Sequence, residues 1–278
     1  MKHIRFNQII TALCCLLLIS CGIDKNLKKG EKFLSLGEYY DAADQFKQAY
    51  TKTPAKERDN RGKIALKMAR CYEKINSTPK AIAAYRNAIR YNQATIKDRL
   101  AYARQLLKNG DYKLAAQEFR IVLDSLPNDV LAQNGLKSAL KAPEWKKQGS
   151  RYTVKRMDVF NSRRDDYSPV LFGDDYDQLY FSSTRNEAAG DELSGITGTK
   201  AGDIFLSEKD DKGKWSKPEA IGTGLNTEYD EGACCFTPDG RDMYLTQCVT
   251  DPSSPRYAKI VTSPRSDAAW GKTNKLEI

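Results

Sequence analysis

The chain has 278 residues, with 45 Lys and Arg against 36 Asp and Glu and a formal net charge of +9. That length and balance suit two globular domains and exclude a fibrous or charge-dominated disordered chain. Its one histidine is His3, so everything after the first few residues lacks an imidazole for general-base work, a Ser-His pair or a His-ligated zinc. The charge is uneven: residues 22–150 hold 26 basic against 14 acidic side chains, a net +12, and residues 151–278 hold 17 against 22, a net −5. Such asymmetry predicts two domains with different partners. At the N-terminus, Lys2 and Arg5 precede an apolar stretch from Ile9 to Ile19. It is shorter than the ~20 residues a bilayer-spanning helix needs and fits a signal-peptide core over residues 1–20. No later apolar run is long enough to cross a membrane.

Leu18-Ile19-Ser20-Cys21-Gly22 resembles the lipobox of bacterial lipoproteins. The resemblance implies cleavage before Cys21, lipidation of its thiol and amine, and a chain held at a membrane surface by lipid on Cys21. Several acyl chains make such an anchor stable where one is marginal. A lipobox also places the chain outside the cytoplasm, which removes nucleic acid as a partner despite the basic half. Cys14 and Cys15 leave with the signal, so Cys71, Cys234, Cys235 and Cys248 remain. Cys71, beside Tyr72 in a helical pattern, reads as a small buried hydrophobe rather than a reactive thiol.

Helical spacing then repeats three times. Gly37 is followed by Ala42, Phe46 and Ala49; Asn76 by Ala81, Tyr85 and Ala88; Gly110 by Ala115, Phe119 and Val122. A turn residue is thus followed at +5 by Ala, at +9 by an aromatic and at +12 by a small apolar residue. The second and third turns lie 34 residues apart, the first and second 39 apart, as though Ala55–Asp59 were an insertion. This resembles the tetratricopeptide repeat, whose period is 34. The units run roughly Ile23–Thr53, Gly62–Asn92 and Ile96–Leu126, and a helix from Val130 to Lys141 is expected to cap the stack before Pro143. The resemblance implies that the first helix of each unit lines a concave groove. Carried over, the groove positions include the cations Lys63, Arg70 and Lys74, then Lys97, Arg104 and Lys108. The other positions are Leu66 and Glu73, then Leu100 and Leu107. A basic groove with aliphatic patches suits an acidic peptide, a terminal carboxylate or an anionic polymer; the alternative is an ordinary solvated helix face.

From about Asp158 the period switches to strand alternation. Asn161–Tyr167 matches Asn226–Gly232, and Phe172–Ser183 matches Phe236–Gln247 at an offset of 64, pairing Asp175 with Asp239, Leu179 with Met243 and Tyr180 with Tyr244. Each copy continues into a further strand, Asp203–Ser207 and Ala258–Thr262, then a tryptophan, Trp215 and Trp270, then an apolar residue six later, Ile221 and Leu276. Pro238-Asp239-Gly240 reads as a turn in which Pro presets φ and Gly takes the left-handed place. Thr237-Pro238-Asp239-Gly240-Arg241-Asp242-Met243-Tyr244 resembles the PD40 or WD40-like β-propeller repeat, related to the TolB propeller, and implies one four-stranded blade per copy. Closing that hairpin sets Cys235 opposite Tyr244 and leaves Cys248 about 13 Å along the strand, beyond disulfide reach. Thr184–Gly202 reads as a flexible loop at a blade edge; its Asp191-Glu192 pair makes calcium conceivable, but the spacing fits no EF-hand.

The expected fold is multidomain, α then β. A signal peptide spans 1–20, a tetratricopeptide-repeat α-solenoid 21–145, a linker 146–157, and an incomplete β-propeller of about two four-stranded blades 158–278. A propeller needs roughly 4–8 blades to close, and two leave unpaired edges. The sequence therefore reads as the N-terminal piece of a longer protein, or as one whose sheet another chain completes. Lipobox, helical repeats and blades in this order resemble the PorE-like outer-membrane lipoproteins of the type IX secretion system. That family continues into a regulatory-like domain and an OmpA-like peptidoglycan-binding domain, both outside this sequence. The resemblance implies a non-enzymatic scaffold with secretion or envelope proteins as partners, reaching peptidoglycan only through the missing domain, with no cofactor or metal. A second reading is a surface lipoprotein that captures peptides or glycans. Gly22-Ile23-Asp24-Lys25-Asn26 carries one acid, too few for a surface-export signal, so the periplasmic face of the outer membrane is expected. A hydrolase reading finds no Gly-x-Ser-x-Gly elbow.

Overall fold

A computed structural model describes residues 22–189, 193–222, 224–249, 254–255, 257–267 and 269–276. The signal segment, Cys21 and the Asp191-Glu192 pair lie outside the described residues. Two compact units divide between Tyr152 and Thr153, within the stretch 146–157 read as a linker. No helix among the described residues is long and apolar enough to cross a membrane.

The first unit is helical: α1 (22–35), α2 (Tyr39–Lys52), α3 (Arg58–Lys74), α4 (Thr78–Arg90), α5 (Ile96–Asn109), α6 (Tyr112–Ser125) and α7 (Val130–Gln148). They form three consecutive pairs, with α7 packed on the last. The repeat spacing explains the packing. All nine residues at +5, +9 and +12 are buried to within 1% of complete, each large one contributing roughly 1.5–3 kcal/mol. The turn residues Gly37, Asn76 and Gly110 all sit in the left-handed region, at φ 77°, 56° and 86°. Each is followed by a residue whose N–H reaches back five positions, from Glu38 to Phe33, Ser77 to Tyr72 and Asp111 to Leu106. This is the Schellman closure of a helix end. Asn76 is tolerated there because its short polar side chain lowers the cost of that conformation. Two aromatics rest on glycines: a Cβ on Gly30 would come within 2.6 Å of the Phe46 ring, and one on Gly135 within 2.3 Å of the Phe119 ring.

Two boundaries differ from the sequence expectation. The extra residues near Ala55–Asp59 do not all form a loop; α3 starts at Arg58 and, at 17 residues, absorbs part of them as an additional turn beyond the 14 of α5. Helix α7 does not stop before Pro143 but runs on to Gln148. The proline removes one backbone bond, and the residues after it are good helix formers, with Gln148 donating to Glu144 at 3.0 Å. Nor does α7 present a polar outer face: Val130, Leu131, Leu140 and Trp145 are 51–63% exposed.

The second unit contains two antiparallel sheets. The first has the order β1 (Asp166–Phe172), β2 (Gln178–Ser183), β3 (Asp203–Glu208), β4 (Glu219–Ala220). The second has β5 (Asp230–Phe236), β6 (Asp242–Cys248) and β7 (Lys259–Ser266), with β8 (Ala269–Trp270) and β9 (Asn274–Lys275) both paired to β7. The internal repeat is visible in the register. Ile221 donates to the Ile204 carbonyl and Leu276 to the Ile260 carbonyl. Both first strands carry a bulge, at Ser168-Pro169 and Ala233-Cys234. Cys235 stands opposite Tyr244, as the hairpin spacing requires, and Cys248 opposite Asp230. The pairing corrects one equivalence. Phe236 faces Met243 as Leu171 faces Leu179, so Leu171, not Phe172, is its counterpart. The cause is Gly173, an additional left-handed residue at φ 88° ahead of the first turn.

Tyr180, Ile204, Leu225, Met243, Leu245 and Val261 form the core shared by the sheets, with Phe172, Phe236 and Trp270 packed against it. Asn226 ties the connection between the sheets. Its amide donates to the carbonyls of Ile204 and Ile221, and its oxygen accepts from the Ile204 N–H, all at 2.9 Å. The loop before β3 is partly ordered rather than open: Ala188 is buried, and Ser194 donates to the Thr199 carbonyl at 2.8 Å. Among the described residues no group of three or more His, Cys, Asp or Glu could hold a metal ion.

Candidate functional site

The six cations that the repeat pattern selects all reach the surface of the helical unit. Lys63, Arg70 and Lys74 lie on α3, and Lys97, Arg104 and Lys108 on α5. Their surroundings separate them. Arg70 donates from Nε and Nη2 to Oδ1 of Asp98, at 3.1 and 2.9 Å, joining α3 to α5. Asp98 is 4% exposed, and its other oxygen accepts from the Thr95 N–H and hydroxyl at 2.9 and 2.7 Å, completing a capping box at the start of α5. Burial alone raises the Asp98 carboxyl, but these donors outweigh it and hold it below the usual aspartate value. Arg70 is therefore an internal strut as well as a surface charge. Lys108 donates to the Asn76 side chain at 2.7 Å, and Lys74 sits over the Tyr39 ring at 6.0 Å.

Lys63, Lys97 and Arg104 are the cations left for a ligand; among the described residues no ion pair engages them. Lys97 and Arg104 are two turns apart on α5, a rise of about 10 Å. Lys63 and Lys67 border a cleft of about 400 Å³ whose floor is Ile23, Leu27, Pro54 and Ile64. Lys67 is a residue the repeat pattern passes over. It pairs with Glu31 on α1, and burial, then its neighbour Arg70, push its ammonium below the usual lysine value. Asp98 was the other omission; Thr95 followed three residues later by an acid is a signal that could have found it. The groove position Glu73 is used internally, accepting from the Tyr85 hydroxyl. Cys71 is fully buried, and burial pushes its thiol up to about 11, which fits the packing role expected of it. Cys21 lies outside the described residues.

No protein-family model matches the chain, and no curated protein matches it. Two solved structures align with the helical part. One is the C-terminal TPR-containing domain of an FK506-binding protein of Plasmodium falciparum, at 16% identity and a TM-score of 0.40, covering 47% of this chain and 94% of that one. The other is the Sgt2 TPR domain from Aspergillus fumigatus, at 20% identity and a TM-score of 0.36, covering 49% of this chain and 88% of that one.

Proposed function

We propose that this protein is a non-enzymatic scaffold whose helical unit takes acidic segments of partner proteins. The observation that carries the reading is the pair of first helices, α3 and α5, fixed together by Arg70 and Asp98 while Lys63, Lys97 and Arg104 stay exposed. Exposed guanidinium and ammonium groups on a rigid frame suit carboxylates, whose charge-assisted hydrogen bonds are the strong ones. In the finer form of the proposal the chain is a lipoprotein anchored through Cys21 at the periplasmic face of the outer membrane. Its two sheets are propeller blades, and it serves an envelope machine of the type IX secretion kind. The Leu18–Cys21 motif, the two antiparallel meanders, one of four strands and one of five, and the order of the parts support that form.

Co-purification from envelope extracts tests the groove. Lys97→Glu with Arg104→Glu is expected to lower recovery of acidic partners about tenfold, the effect of losing roughly 1.4 kcal/mol. An unchanged partner set would remove the groove from the proposal. Incorporation of labelled palmitate, present in the natural chain and lost in Cys21→Ser, tests the anchor separately.

A further inference from the structure

Between the two sheets, within the second unit, lies a cleft of about 460 Å³, a volume in the range of ligand sites. Tyr180, Leu206, Ile221 and Trp270 give it an apolar and aromatic wall, and among the described residues the charged side chains lining it are Glu208 and Glu219. One of these carboxylates is held in place. The Trp270 indole N–H donates to the Tyr180 hydroxyl at 3.2 Å, that hydroxyl donates to Gln178 Oε1 at 3.3 Å, and Gln178 Nε2 donates to Glu208 Oε1 at 2.7 Å. The chain runs from β8 in one sheet to β3 in the other and fixes Glu208 at the rim without neutralising it. Arg265 already lies over the Trp270 ring at 5.6 Å, so the attraction for a further cation comes from the two carboxylates, with the apolar wall taking its stem. Residues 151–278, at net −5, add attraction of the same sign.

We infer that this cleft binds a cationic side chain, Lys or Arg, presented by a basic peptide segment. The aliphatic stem lies on Leu206, Ile221 and Trp270, and the charged head is shared by Glu208 and Glu219. This site is independent of the helical groove and prefers the opposite charge, so the two units select different partners.

The test uses the full chain with Trp145→Phe and Trp215→Phe, which leaves Trp270 as the only indole reporter. Short acetylated peptides with one central Arg, Lys or citrulline are titrated while Trp270 emission is followed. Arg and Lys peptides are expected to bind, and citrulline, which keeps the shape and loses the charge, to bind about tenfold or more weakly. Glu208→Gln with Glu219→Gln, which keeps an acceptor for Gln178, is expected to remove that preference. Gly222 provides a second variant. A Cβ there meets no atom within 4 Å, so Gly222→Leu adds bulk to the lining of the cleft without a clash and is expected to weaken binding. Equal binding of the citrulline peptide, binding unchanged in both variants, or a Trp270 signal that no cationic peptide moves overturns the proposal.

Discussion

Asp166 in the first sheet and Glu231 in the second hold matching places and meet different electrostatics. Each accepts a backbone N–H from a hydroxyl residue four positions earlier, Ser162 for Asp166 and Thr227 for Glu231. Each also accepts from a side chain on the neighbouring strand, Ser183 or Gln247. Only Asp166 has a counter-charge. Arg185 Nη2 lies 2.7 Å from it, both side chains 8% exposed, and the guanidinium stacks between Phe181 and Phe205 at 5.0 and 4.7 Å. Glu231 is fully buried, and its charged neighbour is another acid, Asp203, 1% exposed. Burial raises both Asp166 and Glu231, yet hydrogen bonds from Ser183, Ser162 and Arg185 bring Asp166 below its ordinary value, whereas Glu231 stays above. A shared hydrogen-bond frame therefore does not fix the direction of the shift by itself: Glu231 is the more deeply buried, and only Asp166 adds an arginine to its serine donors.

The sharpest way to break this contrast is to remove the arginine. Arg185→Met leaves Asp166 buried with its serine donors but no counter-charge and is expected to cost about 3–5 kcal/mol. Denaturant unfolding followed at Trp215, which packs on Phe160 beside the first sheet at 5.3 Å, reads that loss locally. A loss below 1 kcal/mol would mean the frame alone holds the charge.

Asp203, at the start of β3 in the first sheet and a charged neighbour of Glu231 in the second, should respond in the opposite sense. Asp203 Oδ2 accepts from the Ala189 N–H at 2.6 Å, but Oδ1 is buried with no hydrogen-bond partner among the described residues. Asp203→Asn keeps the first bond and removes a buried charge, so it is expected to stabilise by roughly 1–3 kcal/mol at neutral pH. Burial, with Asp230 adding, raises the folded Asp203 value; Ala189 and Lys200 oppose it. A carboxyl raised on folding binds more protons folded than unfolded, so stability falls as pH rises from the ordinary carboxylate range through the raised values. Melting of the chain carrying Trp145→Phe and Trp215→Phe should show that fall at Trp270, and adding Asp203→Asn should flatten it. Asp166, held low, contributes stability that is lost only as pH drops through its depressed value. The same pH trend at Trp215 and Trp270 would erase the distinction between the sheets.

The smallest effect concerns the two hairpin turns. Gly240 donates to the Thr237 carbonyl at φ 67°, and Tyr176 donates to the Gly173 carbonyl at φ 49°. A side chain in the left-handed region costs about 1–2 kcal/mol. Tyr176→Gly should recover about 1 kcal/mol, partly offset by the extra freedom glycine has when unfolded, and Gly240→Tyr should lose more than that, because a Cβ there also comes within 2.9 Å of the Phe172 ring. Calorimetry of both variants checks the pair.

Much of this architecture could be read from local spacing. The Ala-aromatic-small series of each helical pair is buried where the period puts it, and three left-handed turn residues announce themselves as Gly37, Asn76 and Gly110. The strand repeat was legible around Tyr180 and Tyr244 and slipped at Phe172, because one left-handed residue changes register without changing the apolar pattern. In the basic groove, spacing found the cations but not their engagement. Arg70 meets Asp98 from 28 positions away, and such a contact depends on the angle between helices rather than on any period. The cleft between the sheets was invisible for the same reason, since Glu208 and Trp270 come together only once both meanders are packed.

The Asn226 amide closes the chain from Ile221 to Asn226 and clips it to β3, while the next residue, Thr227, is held by Glu231 of the second sheet. Three hydrogen bonds of the connection thus converge on a single side chain, so Asn226→Ala would remove them together while the direct bonds between the sheets, such as Glu231 N–H to the Gly202 carbonyl, remain.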